Sequence, residues 1–210
     1  MLDEKGFDLW ADGYDRSVQL SEESDEYPFA GYKDVLNAVY RAVHAQKRAS
    51  VLDLGFGTGA LTAKLYAEGY AVTGVDFSEK MCTLAQKKMP NARLIRADLT
   101  QGIPKEICGE RFGTIVSTYA MHHLTDPQKE TLWRELLALL LPGGVLVIGD
   151  VAFETEAEQE ACRTRHEEMW DDDEIYIVAE RFKPAFTGLR FQRVSHCAGV
   201  LTINNDCEIN

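Results

Sequence analysis

Five short apolar runs limit what this chain can fold into. They lie at residues 50–54, 70–76, 92–98, 111–120 and 145–151, and each is of strand length. Apolar residues recur at helical spacing over 59–69, 78–90 and 125–144. Strands that alternate with helices build βαβ units, so an α/β fold with a mostly parallel sheet is expected. The punctuation agrees. Gly69 closes the first helix, Ser78 caps the second and Pro90 lies beyond its end. Thr125 or Asp126 can cap the third, Pro127 suits its first turn, and Pro142-Gly143-Gly144 stops it.

Outside this alternation, residues 31–46 read as an amphipathic helix. After Asp150 the rhythm changes, with helices expected at 154–168 and 174–186. Residues 189–203 read as two strands joined by a tight turn near Cys197 to Gly199, hence a C-terminal antiparallel hairpin. The expected architecture is a Rossmann-like, seven-stranded, mostly parallel sheet with that hairpin at its end and helices on both faces. A length of 210 residues suits one domain. Within it, 1–48 form a helical cap, 49–210 the core, and 155–186 a lid-like insertion.

Composition removes several function classes. The formal net charge is −12, with Lys and Arg scattered among acids, which argues against a nucleic-acid partner. Five cysteines, widely spaced and without a C-x-x-C pair, give no disulfide framework and no zinc knuckle, so no metal site is expected. The longest apolar stretch is broken by Pro-Gly-Gly and is too short to span a bilayer. A cytoplasmic location with no membrane partner is expected.

In an open α/β sheet, ligands bind where the strands end, near the point at which strand order reverses. The loop after the first strand reads "DLGFGTG", and Gly55, Gly57 and Gly59 there allow a tight turn against which a ligand can lie. Asp76 ends the second strand, 21 residues after Gly55, where a carboxylate can accept ribose hydroxyls. Both NAD and S-adenosyl-L-methionine (SAM) would suit those features. Three details separate them. Gly59 follows Gly57 by two residues, where the dinucleotide pattern needs three. Asp53 precedes Gly55 by two, which suits a cationic amine better than a pyrophosphate. The third strand ends in "RADL", where Asp98 can accept from an adenine amine.

The set "VLDLGFGTG", "GVDFS", "RADL" and "LLPGGVLVI" resembles the class I SAM-dependent methyltransferases over nearly the whole chain. "FDLWADGYDRSV", "STYAMHHLTD" and "SHCAGVLTI" further resemble the small bacterial YrrT-like methyltransferases. The resemblance implies that SAM is the cofactor. It puts Asp53 near the methionine amino group and Gly55 and Gly57 along the methionine portion. Asp76 would bind the ribose, with Phe77 beside the adenine, Asp98 at its amine and Leu99 packed on the ring. Gly59 would serve helix–sheet packing. Tyr14, in "WADGYD", would close over the methionine end, and Ser117 or Thr118 would touch the cofactor from the fourth strand.

For catalysis the candidates are His123, His122 and Tyr14. A histidine can act as a base near neutral pH or simply shape the pocket floor. Methyl transfer from a sulfonium needs mainly alignment, so no base is obligatory. The acidic run "EEMWDDDE" can serve a cationic substrate or a divalent metal, or be a solvated loop carrying the lid contacts Met169 and Trp170. Neither [DN]-P-P-[YF] nor a Pro-Cys nucleophile occurs, which turns the expectation toward a small-molecule acceptor. The rival expectations are a non-catalytic sensor of SAM or S-adenosylhomocysteine and an NAD oxidoreductase.

Overall fold

A computed structural model describes residues 26–205; Trp10 and Tyr14 lie outside them. The first helix is α1 (Tyr32–Ala45), and the alternating body continues as β1 (Ser50–Leu54), α2 (Thr62–Ala67), β2 (Ala71–Asp76), α3 (Glu79–Lys88) and β3 (Arg93–Arg96). Then come β4 (Phe112–Thr118), α4 (Asp126–Ala138) and β5 (Leu140–Phe153). The last part holds α5 (Glu156–Arg165), β6 (Ile177–Val178), α6 (Ala179–Phe182), β7 (Arg190–Arg193) and β8 (Ala198–Asn204).

The sheet runs in the order β3-β2-β1-β4-β5-β8-β7, with β6 pairing the end of β5. Pairing is parallel from β3 through β5, whereas β8 is antiparallel to both β5 and β7. The expected sheet and hairpin are therefore present. Strand order reverses between β1 and β4, which opens a crevice at their carboxyl ends.

Both faces of the sheet are covered, and the strands alternate between two cores. Leu52 and Leu54 of β1, Ile115 of β4 and Ile148 of β5 face one core with Trp133 of α4. Val51, Val116 and Val147 face the other, against Val35, Val39 and Val43 of α1. Those three valines are four residues apart, which gives α1 a single buried stripe.

The local signals are met where side chains close them. Ser78 Oγ accepts from the Met81 N–H at 3.1 Å and starts α3. Thr125, not Asp126, caps α4, in a reciprocal box with Gln128.

Two expectations fail. Residues 174–186 are not one helix: Ile177 and Val178 form β6 against Ala152 and Phe153, and only Ala179–Phe182 is helical. The run Tyr176-Ile177-Val178 is fully buried along the end of β5, and burial on all sides hides any helical period. The hairpin turn also falls earlier than expected, between Arg193 and Ala198. Gly199 sits inside β8 opposite Arg193, and a Cβ there would meet the Phe191 ring at 2.4 Å. Among the described residues no helix is long and apolar enough to cross a membrane.

Candidate functional site

At the carboxyl ends of β1, β2 and β4 lies a cavity of about 1060 Å³. The glycine loop forms one wall. Gly55 and Gly57 hold φ of 68° and 54°, in the left-handed region that glycine adopts without steric cost. Their surroundings differ. A Cβ on Gly55 would stand 2.3 Å from the Ala120 Cβ, whereas one on Gly57 would meet nothing within 4 Å. Gly57 thus leaves open space on the cavity side, and Gly55 lets β1 and the segment after β4 approach. Gly59 packs toward Ala85 of α3 and Met89 just after it, as a spacer between that helix and the loop.

Asp76 braces this loop. Its Oδ2 accepts from the Gly57 N–H at 2.8 Å and its Oδ1 from the Ser78 N–H at 2.9 Å. Phe77, Asp98 and Leu99 line the same wall beyond it. Asp98 also starts a short 3₁₀ turn by accepting from the Thr100 N–H at 2.9 Å. The bland role of a turn-capping carboxylate and the exposure needed for a ligand therefore coexist.

Two of the expected residues sit behind the wall. Asp53 is 1% exposed and does not line the cavity. One of its oxygens accepts from Thr62 Oγ1, and Oδ1 has no hydrogen-bond partner. Burial pushes its pKa up to about 7, against the Thr62 bond and helped by nearby Asp76. Ser117 is also buried, and its Oγ donates to the Leu54 carbonyl at 2.8 Å, tying β4 to β1. Its neighbour Thr118 lines the cavity in its place.

The opposite wall comes from the turn after β4 and from the segment leading to β6. His122 and His123 lie in a 3₁₀ turn (Met121–His123), and both line the cavity. His122 Nδ1 faces Asp150 Oδ1 at 2.6 Å, and its Nε2 is 3.7 Å from Glu174 Oε1. Asp150 is fully buried within β5, just beyond its pairing with β4, and also accepts from the Met121 and Val151 N–H groups. Burial disfavours a charged His122, but Asp150 and then Glu174 outweigh it and raise its pKa. Burial and the neighbouring His122 push His123 down to about 2.

The charged run divides as its surroundings dictate. Asp172 and Asp173 are exposed away from the cavity, whereas exposed Asp171 and half-buried Glu174 both line it. The residues just beyond Glu174 are pinned. The Ile175 N–H donates to the His122 carbonyl at 2.8 Å, and buried Lys129 Nζ donates to the Ile175 and Leu124 carbonyls, each at 2.6 Å. Trp170 stacks on Tyr27 at 5.4 Å and meets Tyr176 edge-on at 4.8 Å. The Tyr27 and Tyr176 hydroxyls bond to each other, and burial pushes the Tyr27 hydroxyl up to about 12. Met169 is 52% exposed at the cavity's edge.

Sequence reading missed Tyr27, Lys129, Asp150 and Tyr176, and it named Glu174 only as the end of the acidic run 167–174. Each meets the site through a contact distant in sequence, and only Asp150, near the end of the expected strand 145–151, carried a positional signal.

The residues present fit the cofactor that the resemblance implies. A buried carboxylate oxygen below the loop lacks a donor, the space at Gly57 is one a Cβ would fill, and Asp76 and Asp98 stand at successive strand ends.

Comparison with known proteins agrees with the geometry. A family profile described as "Methyltransferase domain" matches residues 51–144. An uncharacterized methyltransferase of Geobacillus sp. strain WCH70 is 41% identical over 166 residues, covering 77% of this chain and 73% of that protein. One from Alkaliphilus oremlandii is 29% identical over 180 residues, covering 86% and 80%. Among solved structures, the magnesium protoporphyrin IX methyltransferase of Synechocystis PCC 6803 with bound S-adenosylhomocysteine superposes with a TM-score of 0.65. It is 18% identical and covers 84% of each chain. The N-methyltransferase NodS of Bradyrhizobium japonicum, also bound to S-adenosylhomocysteine, gives 0.63 at 18% identity, covering 91% and 97%. These likenesses speak for a shared fold.

Proposed function

The chain belongs to the methyltransferase domain family, and we propose accordingly that it moves a methyl group from SAM to a small-molecule acceptor by in-line displacement. The observation that carries the reading is the braced glycine loop at the switch point, where Asp76 holds the Gly57 N–H beside open space. When bound, the cofactor supplies an electrophilic methyl whose sulfur leaves as a neutral thioether.

The chain's own residues then bind and align. Asp76 holds the ribose hydroxyls, Phe77 and Leu99 flank the adenine, and Asp98 accepts from its amine. Gly55 and Gly57 lie along the methionine portion. Asp53 lies behind the loop, under the expected place of the methionine amine, without lining the cavity itself. Holding the acceptor's nucleophile in line with the methyl at near-contact distance supplies most of the acceleration.

Cavity size supports an acceptor. Its 1060 Å³ lies just above the ~300–1,000 Å³ that encloses one drug-sized ligand. The wall around Tyr27, His122, His123 and Glu174 belongs to none of the cofactor motifs and is available to a second molecule. A sensor would have no use for that volume.

The test is direct. Calorimetry should detect SAM and S-adenosylhomocysteine but not NAD, and label from methyl-labelled SAM should enter a small-metabolite fraction. Failure to bind SAM removes the proposal, and tight binding with no transfer to any fraction favours the sensor.

A further inference from the structure

We propose that His122, His123 and Glu174 form a site for one divalent transition-metal ion in the wall of the cavity. A ring nitrogen from each histidine and a carboxylate oxygen of Glu174 all lie within 4.8 Å of one another. Donors at about 2.0–2.2 Å from a shared ion stand at most about 4.4 Å apart, so closure needs only small side-chain adjustments. The His122 Nε2 to Glu174 Oε1 separation of 3.7 Å is already that of two ligands on one ion.

A second observation points the same way. Fully buried Asp150 faces His122 Nδ1 at 2.6 Å and is itself held by the Met121 and Val151 N–H groups. A carboxylate that fixes one ring nitrogen as donor leaves the other as a ligand and sets the ring's direction, as in carboxylate–histidine–metal arrangements. The backbone keeps the donors in place, since Ile175, next to Glu174, is bonded to the His122 carbonyl and to Lys129.

The donor set selects the class of ion. Two imidazoles and one carboxylate, with no thiolate, suit zinc, iron(II), cobalt or nickel rather than calcium or magnesium, which prefer all-oxygen sites. Three protein ligands leave positions open toward the cavity, as in two-histidine-one-carboxylate centres. An oxygen- or nitrogen-bearing acceptor or water can take them. The expectation of no metal came from cysteine spacing, and sequence reading attached no histidine to the divalent metal that the acidic run 167–174 could serve. The inference concerns metal binding alone and stands without the methyl-transfer reading.

Full-length protein stripped with chelator would be titrated with Zn²⁺ by calorimetry and with Co²⁺ by visible absorption. One equivalent per chain should bind, and His123→Ala and Glu174→Gln should each weaken binding at least tenfold. Asp150→Asn should weaken it about 10- to 100-fold, the usual effect of losing a ligand's carboxylate partner. Melting temperatures in chelator and SAM affinity, measured on the same samples, report folding and the cofactor site separately. No binding by the folded wild-type protein overturns the proposal. So does binding that the folded His123→Ala, Glu174→Gln double variant retains in full, and His122 with Glu174 is then only an ion pair.

Discussion

Asp53 makes the most specific test among single residues, because its environment opposes its charge. Its pKa in the fold is about 7 against 3.8 in solvent, so between these values the native protein keeps a proton that the unfolded chain has released. Stability of the ligand-free protein through this group falls as pH rises from about 4 to about 7 and stays lost above that. Asp53→Asn should therefore melt progressively higher relative to wild type as pH is raised from 5 to 8. Each kcal/mol corresponds to about 2–4 °C for a chain of this size. A difference in melting temperature that does not change with pH would refute the perturbed carboxyl. Asp76→Ala should weaken SAM binding at least tenfold by calorimetry, and unchanged affinity would remove its assignment to the ribose. The two loop glycines should respond differently. Gly57→Val adds left-handed strain of about 1–2 kcal/mol but should abolish SAM binding, since its side chain enters open space. Gly55→Ala should instead lose the fold, because its Cβ meets Ala120 at 2.3 Å.

Among the elements, the segment from Glu174 to β6 carries the most information that the sequence withholds. Lys129 looks like one more charge on an amphipathic helix, yet it is fully buried and bridges two carbonyls. Lys129→Met leaves both without that donor and should cost about 2–6 kcal/mol in denaturant unfolding. Hydrogen exchange should then quicken at the Ile175 amide, which a merely local loss in α4 would spare. The contrast with the rest of the chain is physical. β1 to β5, α3 and α4 were legible because each carries its own period and caps, such as Ser78 and Thr125. The Tyr176-Ile177-Val178 stretch carries neither, since its conformation is set by β5 and by Lys129. The cofactor side of the cavity was legible for a related reason: its residues cluster just after strand ends in short motifs. The opposite wall joins residues 27, 122 and 174, and no local pattern records that meeting.

For the whole molecule, the cavity links ligand binding to unfolding. SAM at about 100 times its dissociation constant should add about 2.7 kcal/mol. That is roughly 5–11 °C in melting temperature at this chain length. NAD should leave the transition where it is. The strand order has another result, one that concerns association between copies. Because β8 lies between β5 and β7, the long apolar β5 is flanked on both sides, and among the described residues the main run of strands ends in β3 and β7. Each is four residues long and begins and ends with arginine: Arg93 and Arg96 in one, Arg190 and Arg193 in the other. Three of these are held by carboxylates of neighbouring elements, Glu110, Glu79 and Glu158. A second chain adding itself to either margin would meet a short, charged strand. The same sheet that builds the cavity is thereby guarded against growing into a fibre.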